Sequence, residues 1–156
     1  MSRNFRALLV GSATAAVLAG STSVASAMTM SVGDPSLTAK VLVEVPVTVS
    51  CSPFDPSLTP LSENVFVSIE QAVGKQIARG SGGVGSPTPL LFPCDGADHT
   101  VDVGVLADPA GPPFKRGAAV VRGSASASAA QQCGPTCFFN FTSQTATVGP
   151  TAVRIH

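Results

Sequence analysis

The chain has 156 residues, with nine Lys or Arg, nine Asp or Glu and no formal net charge at pH 7. Charged residues make up only 12% of it, and its largest basic cluster is Lys115-Arg116. This composition argues against a nucleic-acid partner, because phosphate binding needs a basic face. Val, Leu and Ile recur in patterned runs, which argues against intrinsic disorder.

The first 27 residues have the parts of a secretory signal peptide. Arg3 and Arg6 precede an apolar stretch at residues 7–20, and Ala25-Ser26-Ala27 matches the A-x-A cleavage pattern. The apolar run is too short to span a bilayer. We therefore expect a secreted, extracellular protein that is not membrane-spanning. Its mature chain has 129 residues (156 − 27) and a net charge of −2, because cleavage removes two of the nine basic residues.

Alternating apolar residues predict β-strands from residue 40 onward, so we divide the mature chain into an N-terminal segment, 28–39, and a β-sandwich domain, 40–156. The first strand ends at Cys51 and has Val at every second position from 41 to 49. Pro46 within it predicts an edge strand or a bend. The next run, 65–69, leads through a turn at Gly74 into a return strand at 76–79.

Residues 80–89 are rich in Gly, Ser and Pro and predict a loop. The Ser/Ala tract from 124 to 130 is interpreted as strand or loop. Short apolar runs predict further strands at 90–92, 101–105, 118–121, 138–142 and 152–155. Seven or eight short strands with regular turns are typical of an all-β sandwich, and we expect an immunoglobulin-like Greek key. The chain has neither the core Trp nor the Tyr corner of antibody domains, because it contains no Trp or Tyr.

All four cysteines lie in the mature chain, and disulfides are the default in an exported protein. Of the three possible pairings, we expect Cys51–Cys94, which can tie two sheets, and Cys133–Cys137, which closes a small ring. A redox dithiol needs a two-residue spacer at a helix start. Here the spacer is Gly134-Pro135-Thr136, and β-prone residues follow. A zinc site would need a second ligand pair at matched spacing, which the sequence does not supply.

The one polar constellation comprises Asp95, Asp98 and His99. Two carboxylates and an imidazole could hold a divalent cation or perform acid–base catalysis. An Asp-Gly turn before a strand explains the same residues simply, and we favour that explanation. The chain has no G-x-S-x-G, H-E-x-x-H or phosphate-binding glycine motif. We therefore expect no catalytic residues, no metal and no cofactor.

Four residues are candidates for contact with a ligand or partner. Phe138 and Phe139 are neighbours, so on a strand they face opposite ways and one can be exposed beside the small ring. Phe114 and Lys115 follow two prolines in a predicted loop. The alternative for the first pair is a strand covered on both sides, and for the second pair it is a turn into an edge strand.

Four segments, VTVSCSP, SIEQAVGKQIARGSG, PCDGADHTVDVGV and PPFKRGAAVVRGSASA, resemble small secreted actinobacterial proteins of unknown function with immunoglobulin-like domains. The similarity covers about residues 47–128. It implies an immunoglobulin-like fold and brings no assigned catalytic residue. Its most specific parts are Cys51, Gln71, Cys94-Asp95-Gly96, Phe114 and Gly117.

A weaker resemblance is to the enediyne-binding apochromoproteins, secreted β-sandwiches with a late short disulfide loop. Cys133–Cys137 followed by Phe138 and Phe139 carries it. The sequence thus predicts a non-catalytic binding or structural module for an unknown extracellular protein or small molecule. Two alternatives remain: a small-molecule carrier, with an apolar cleft lined by Phe138 or Phe139, and a protease inhibitor, with a rigid loop at Cys133–Cys137.

Overall fold

The computed structural model describes residues 27–86 and 90–156, so the predicted signal peptide, apart from its last residue, lies outside the described residues. Within these two ranges no residue is helical, and accordingly they contain no helix that is long and apolar enough to cross a membrane. The described chain forms eight strands: β1 (Met28–Val32), β2 (Ser36–Ala39), β3 (Leu42–Cys51), β4 (Thr59–Val73), β5 (Gln76–Ser86), β6 (Asp98–Ala107), β7 (Gly117–Gly134) and β8 (Cys137–Ile155).

The core follows directly from the two-residue period of the strands. Alternate side chains of a strand point to opposite faces, and β-branched residues fit the pleated surface well. The valines of β3 at positions 43, 45, 47 and 49 are fully buried, and Glu44 between them is exposed. The same alternation buries Val65, Val67 and Ile69 of β4 and Val103 and Val105 of β6.

All strand pairs are antiparallel, in the order β1-β3-β6-β5-β4-β7-β8, and β2 also pairs with β3. The consecutive strands β4, β5 and β6 lie side by side, and β3 lies next to β6 at the far side of this group. Three consecutive strands with a fourth beside the distant one form a Greek key. β5 and β6 share only two residue pairs, Gly80–Ala107 and Ser81–Leu106. The sheet bends there into a first layer (β1, β2, β3, β6) and a second layer (β5, β4, β7, β8), and both layers supply the core.

The predicted all-β sandwich of seven or eight strands is therefore confirmed. Three local expectations are corrected. Residues 28–39 are not a separate segment, because they form β1 and β2, which pair with β3. Residues 80–86 are not a loop but the second half of β5, where glycines lie opposite β4 in a regular register. Residues 90–92 are not a strand, although Phe92 is buried.

Phe92 is buried because its loop is fastened to the sandwich at two points. Its backbone N–H donates a 2.8 Å hydrogen bond to Oε2 of Glu63, a carboxylate that is only 3% exposed. Two residues later, Cys94 forms the predicted disulfide with the buried Cys51, with a Cα–Cα distance of 4.8 Å. The Cys133–Cys137 pairing is also confirmed. The two disulfides make the all-β fold a stable module suited to an oxidising, extracellular environment.

The bend between the layers depends on the absence of a side chain at Gly80. A Cβ there would lie 2.8 Å from Cζ of Phe114 and closer still to the carbonyl oxygen of Leu106. The Phe114 ring, which is 2% exposed, occupies this space and belongs to the core. Phe114 is therefore corrected from a candidate contact residue to a core residue that seals the bend.

We expect the two disulfides to contribute unequally to stability. Replacing Cys51 and Cys94 by Ala opens a loop of 43 residues and should lower the free energy of unfolding by about 4 kcal/mol. Replacing Cys133 and Cys137, which are 4 positions apart, should cost about 2 kcal/mol. Guanidinium unfolding of both double variants measures the difference, and a larger loss for the second pair would contradict this assignment.

Gly80→Ala should destabilise the protein by about 1–3 kcal/mol, because the new methyl group overpacks the Phe114 ring and the Leu106 backbone. Gly104→Ala is the matched control on the adjoining strand. A Cβ there meets only Cδ1 of Leu42, at an ordinary 3.5 Å, so its effect should stay within about 0.5 kcal/mol. Equal unfolding midpoints for the two variants would show that Gly80 is not the constraint at the bend.

Candidate functional site

β7 and β8 form a long hairpin whose end extends beyond the neighbouring strand. The pairing of β4 with β7 stops at Thr59–Ala130. The pairing of β7 with β8 continues to Gly134–Cys137. Residues 131–141, which we call the hairpin end, are therefore a two-stranded ribbon that projects past the rest of the second layer.

The Cys133–Cys137 disulfide closes the hairpin end across its turn. The two Cα atoms are 5.2 Å apart, and both cysteines are exposed. The five-residue ring follows the hairpin geometry and holds the last residue pairs in register. In the part of the chain that the structure describes, no group of three or more His, Cys, Asp or Glu is placed to hold a metal ion. The arrangement is that of a structural staple.

Two phenylalanines of the hairpin end are exposed on the surface. Phe139 is 42% exposed and Phe141 is 69% exposed, whereas Phe138 is half-buried. A register shift between β7 and β8 places an extra residue here, and Asn140 has a φ of 52°. Asn tolerates this left-handed conformation better than most residues. Such a bulge redirects side chains, so Phe139 and Phe141 both reach solvent around Asn140.

Three polar side chains of the hairpin end already form hydrogen bonds within it. Asn140 Nδ2 donates to Oε1 of Gln131 at 3.1 Å, and Gln132 Nε2 donates to the carbonyl oxygen of Gly134 at 3.0 Å. A polar group that already has a partner costs less to remove from water. The hairpin end can therefore be covered by an apolar surface at a lower desolvation cost than its composition suggests.

The hairpin end and the parts of β7 and β8 next to it carry no charged residue. The chain contains no Asp, Glu, Lys, Arg or His between Arg122 and Arg154. Ion pairing and electrostatic steering are therefore absent from the hairpin end itself, and its contacts should be insensitive to salt. Apolar burial is the interaction that this surface can offer.

The other two candidate contact positions have a structural role. The side chain of Gln71, only 3% exposed, accepts a 2.8 Å hydrogen bond from the backbone N–H of Lys115 and donates a 2.6 Å bond to its carbonyl oxygen. These two hydrogen bonds hold the segment that carries the buried Phe114. The Lys115 side chain is exposed. Lys115 precedes the start of β7, whereas Phe138 and Phe139 pair with residues near the other end of that strand.

Asp95 and His99 come together at the start of β6, without Asp98. Oδ1 of Asp95 accepts a 2.8 Å hydrogen bond from the Ala97 N–H and lies 2.9 Å from Nε2 of His99. The hydrogen bond with His99, followed by that with Ala97, lowers the pKa of Asp95 below its usual value. Asp98 is an exposed strand residue opposite Ser50. The pair caps a turn, and among the described residues no third His, Cys, Asp or Glu joins it to form a group that could hold a metal ion.

The main grooves on the described surface lie away from the position predicted for a carrier cleft. Four grooves on the described surface are lined by other residues and include neither Phe138 nor Phe139. The candidate contact residues predicted from the sequence did not include Phe141, the most exposed aromatic residue of the hairpin end. The run Phe-Phe-Asn-Phe was visible, but the bulge that exposes its last residue depends on how β7 and β8 pair.

Comparison with known proteins adds no assignment. No protein family, no curated protein and no solved structure matches the chain. The interpretation of the hairpin end therefore depends on its geometry and chemistry.

The Asp95–His99 contact predicts a specific pH dependence. Because the folded-state pKa of Asp95 is lowered, its contribution to stability is present above the unfolded-state pKa and is lost as the pH falls through the folded-state value. Carboxyl-carbon NMR titration should give Asp95 a pKa below that of ordinary Asp. His99→Ala should raise it, and an unchanged titration in that variant would contradict the contact.

Proposed function

We propose that this protein is a secreted, non-catalytic binding module whose contact surface is the hairpin end. The observation that carries the proposal is the exposure of Phe139 and Phe141 on a ribbon stapled by Cys133–Cys137. Large apolar side chains grouped on a surface mark interaction sites. Full burial of a Phe side chain contributes about 1.5–3 kcal/mol, so two such residues can anchor a partner.

The staple supports this function by preparing the surface before binding. A two-stranded ribbon is only marginally stable by itself, and ordering it on contact would weaken binding. The disulfide removes part of that entropic cost in advance. The paired side chains of Gln131, Asn140 and Gln132 support the same reading, since they leave few polar groups to satisfy when the surface is covered.

The secreted, immunoglobulin-like part of the proposal has its own support. The signal-peptide pattern and the two disulfides agree with an extracellular location. The separation of β1, β3 and β6 from β5, β4, β7 and β8 is the division of strands expected for an immunoglobulin-like Greek key. The resemblance to small secreted actinobacterial proteins, which covers about residues 47–128, favours the same class.

The absence of catalysis is also part of the proposal. The one constellation that suggested acid–base chemistry reduces to the exposed Asp95–His99 pair, which caps a turn. A protease-inhibitor function has less support. Inhibitory loops are held extended, and five extended residues span roughly 13 Å, whereas Cys133 and Cys137 are only 5.2 Å apart at Cα.

The decisive experiment is native mass spectrometry of the protein purified from its own culture supernatant. We expect the wild type to carry a bound species that persists at high salt, because the hairpin end has no charges. Phe139→Ser/Phe141→Ser should weaken retention at least tenfold. The unfolding free energy should fall by only about 1–3 kcal/mol, because both rings are partly exposed.

Phe66→Ser is the matched control, since Phe66 is 50% exposed but lies on β4, away from the hairpin end. It should retain the bound species. Phe114→Ala should instead unfold more easily by about 3–5 kcal/mol, because that ring is buried. A bare monomer under all conditions, or retention by the double variant, would overturn the proposed contact surface.

A further inference from the structure

A separate groove lies at the end of the sandwich where the chain passes from β6 to β7, at the opposite end of β7 from the hairpin end. Its volume is about 500 Å³, within the range of small-molecule sites. It is formed by the turn before β3 and by the end of β6 with the loop that follows. The lining residues are Lys40, Val41, Leu106, Ala107, Asp108, Pro109, Gly111 and Pro113.

The walls of this groove are apolar and accessible. Val41 is 53% exposed and Leu106 is 60% exposed, which are high values for large apolar residues. Ala107, Pro109 and Pro113 extend the same surface. A ligand that covers these side chains would remove substantial apolar area from water, which is the main source of affinity in such sites.

The backbone around the groove has few free donors. The Ala107 N–H donates to the Val41 carbonyl oxygen at 2.8 Å, and the Asp108 N–H donates to that of Arg79 at 2.7 Å. The Gly111 N–H donates to the Asp108 carbonyl oxygen at 3.0 Å. Proline has no N–H to offer. The body of a ligand is therefore recognised by apolar contact and not by backbone hydrogen bonds.

The two charged lining residues are not equivalent. Oδ1 of Asp108 accepts a 2.9 Å hydrogen bond from the Ala110 N–H, which commits the carboxylate to its own turn. Lys40 is exposed and, within residues 27–86 and 90–156, forms no ion pair. The positive charge that the groove can offer to a ligand is the ammonium group of Lys40.

We propose that this groove binds a small amphiphile that has an apolar body and a single negatively charged head. The body covers Val41 and Leu106, and the head lies beside Lys40. This assignment is independent of the hairpin end, which is uncharged and lies at the other end of β7.

Two fluorescent probes of nearly the same shape test the proposal. Anilinonaphthalene sulfonate carries one negative charge, and phenylnaphthylamine is its uncharged relative. We expect Lys40→Gln to weaken binding of the sulfonate by about two- to fivefold, the range of an exposed ion pair, and to leave the uncharged probe unaffected. Leu106→Ser should weaken both probes by about tenfold, because it removes apolar contact area.

Phe141→Ser is the control, because it removes the most exposed aromatic ring from the hairpin end. It should leave the affinity for both probes unchanged. Leu106 is exposed, so its variant should keep the wild-type circular dichroism and unfolding midpoint. The proposal is overturned if Leu106→Ser binds both probes with unchanged affinity. It is also overturned if Lys40→Gln loses affinity for both probes by the same factor. A loss of probe affinity in Phe141→Ser would show that the probes bind at the hairpin end and not in the groove. That result would overturn the groove assignment and leave the proposed function intact.

Discussion

The contact between β5 and β6 sets the geometry of the whole molecule. Only two residue pairs join these strands, so the antiparallel sheet bends there and its two layers come to enclose one core. The bend needs Gly80, whose missing side chain makes room for the buried Phe114 ring. Gln71 then holds the backbone next to that ring with two hydrogen bonds. Gly80, Phe114 and Gln71 thus maintain the bend together.

The two disulfides serve different parts of this design. Cys51–Cys94 lies against the core and fastens a loop whose Phe92 fills the interior. Its contribution is to the stability of the sandwich. Cys133–Cys137 lies outside the core, between exposed residues, where no third strand supports the ribbon. This disulfide keeps the short exposed ribbon in register and so maintains the shape of the hairpin end.

The two ends of β7 present different chemistry as a result. At one end is the uncharged hairpin end, where Phe139 and Phe141 are exposed and the side chains of Asn140 and Gln132 form hydrogen bonds within the ribbon. At the other end is an apolar groove beside the exposed Lys40. β7 runs between the two surfaces and contributes Val121 and Ala125 to the core. A sandwich of this kind can display two recognition surfaces at its ends without any moving part.

The sequence by itself determined the all-β class, the short Cys133–Cys137 ring and the buried valines of β3, because a period of two residues and a cysteine spacing of 4 are local properties of the chain. It favoured the Cys51–Cys94 pairing, but that disulfide joins residues 43 positions apart, which only the fold brings together. It did not determine the roles of Gly80, Phe114, Phe92 or Phe141. Each role depends on a residue distant in the chain. The Phe114 ring fills the space beside Gly80, and the Glu63 carboxylate fastens the loop of Phe92. The exposure of Phe141 depends on the bulge in the pairing of β7 with β8. Only the tertiary structure brings those partners together, and it therefore decided which phenylalanines stabilise the core and which remain on the surface.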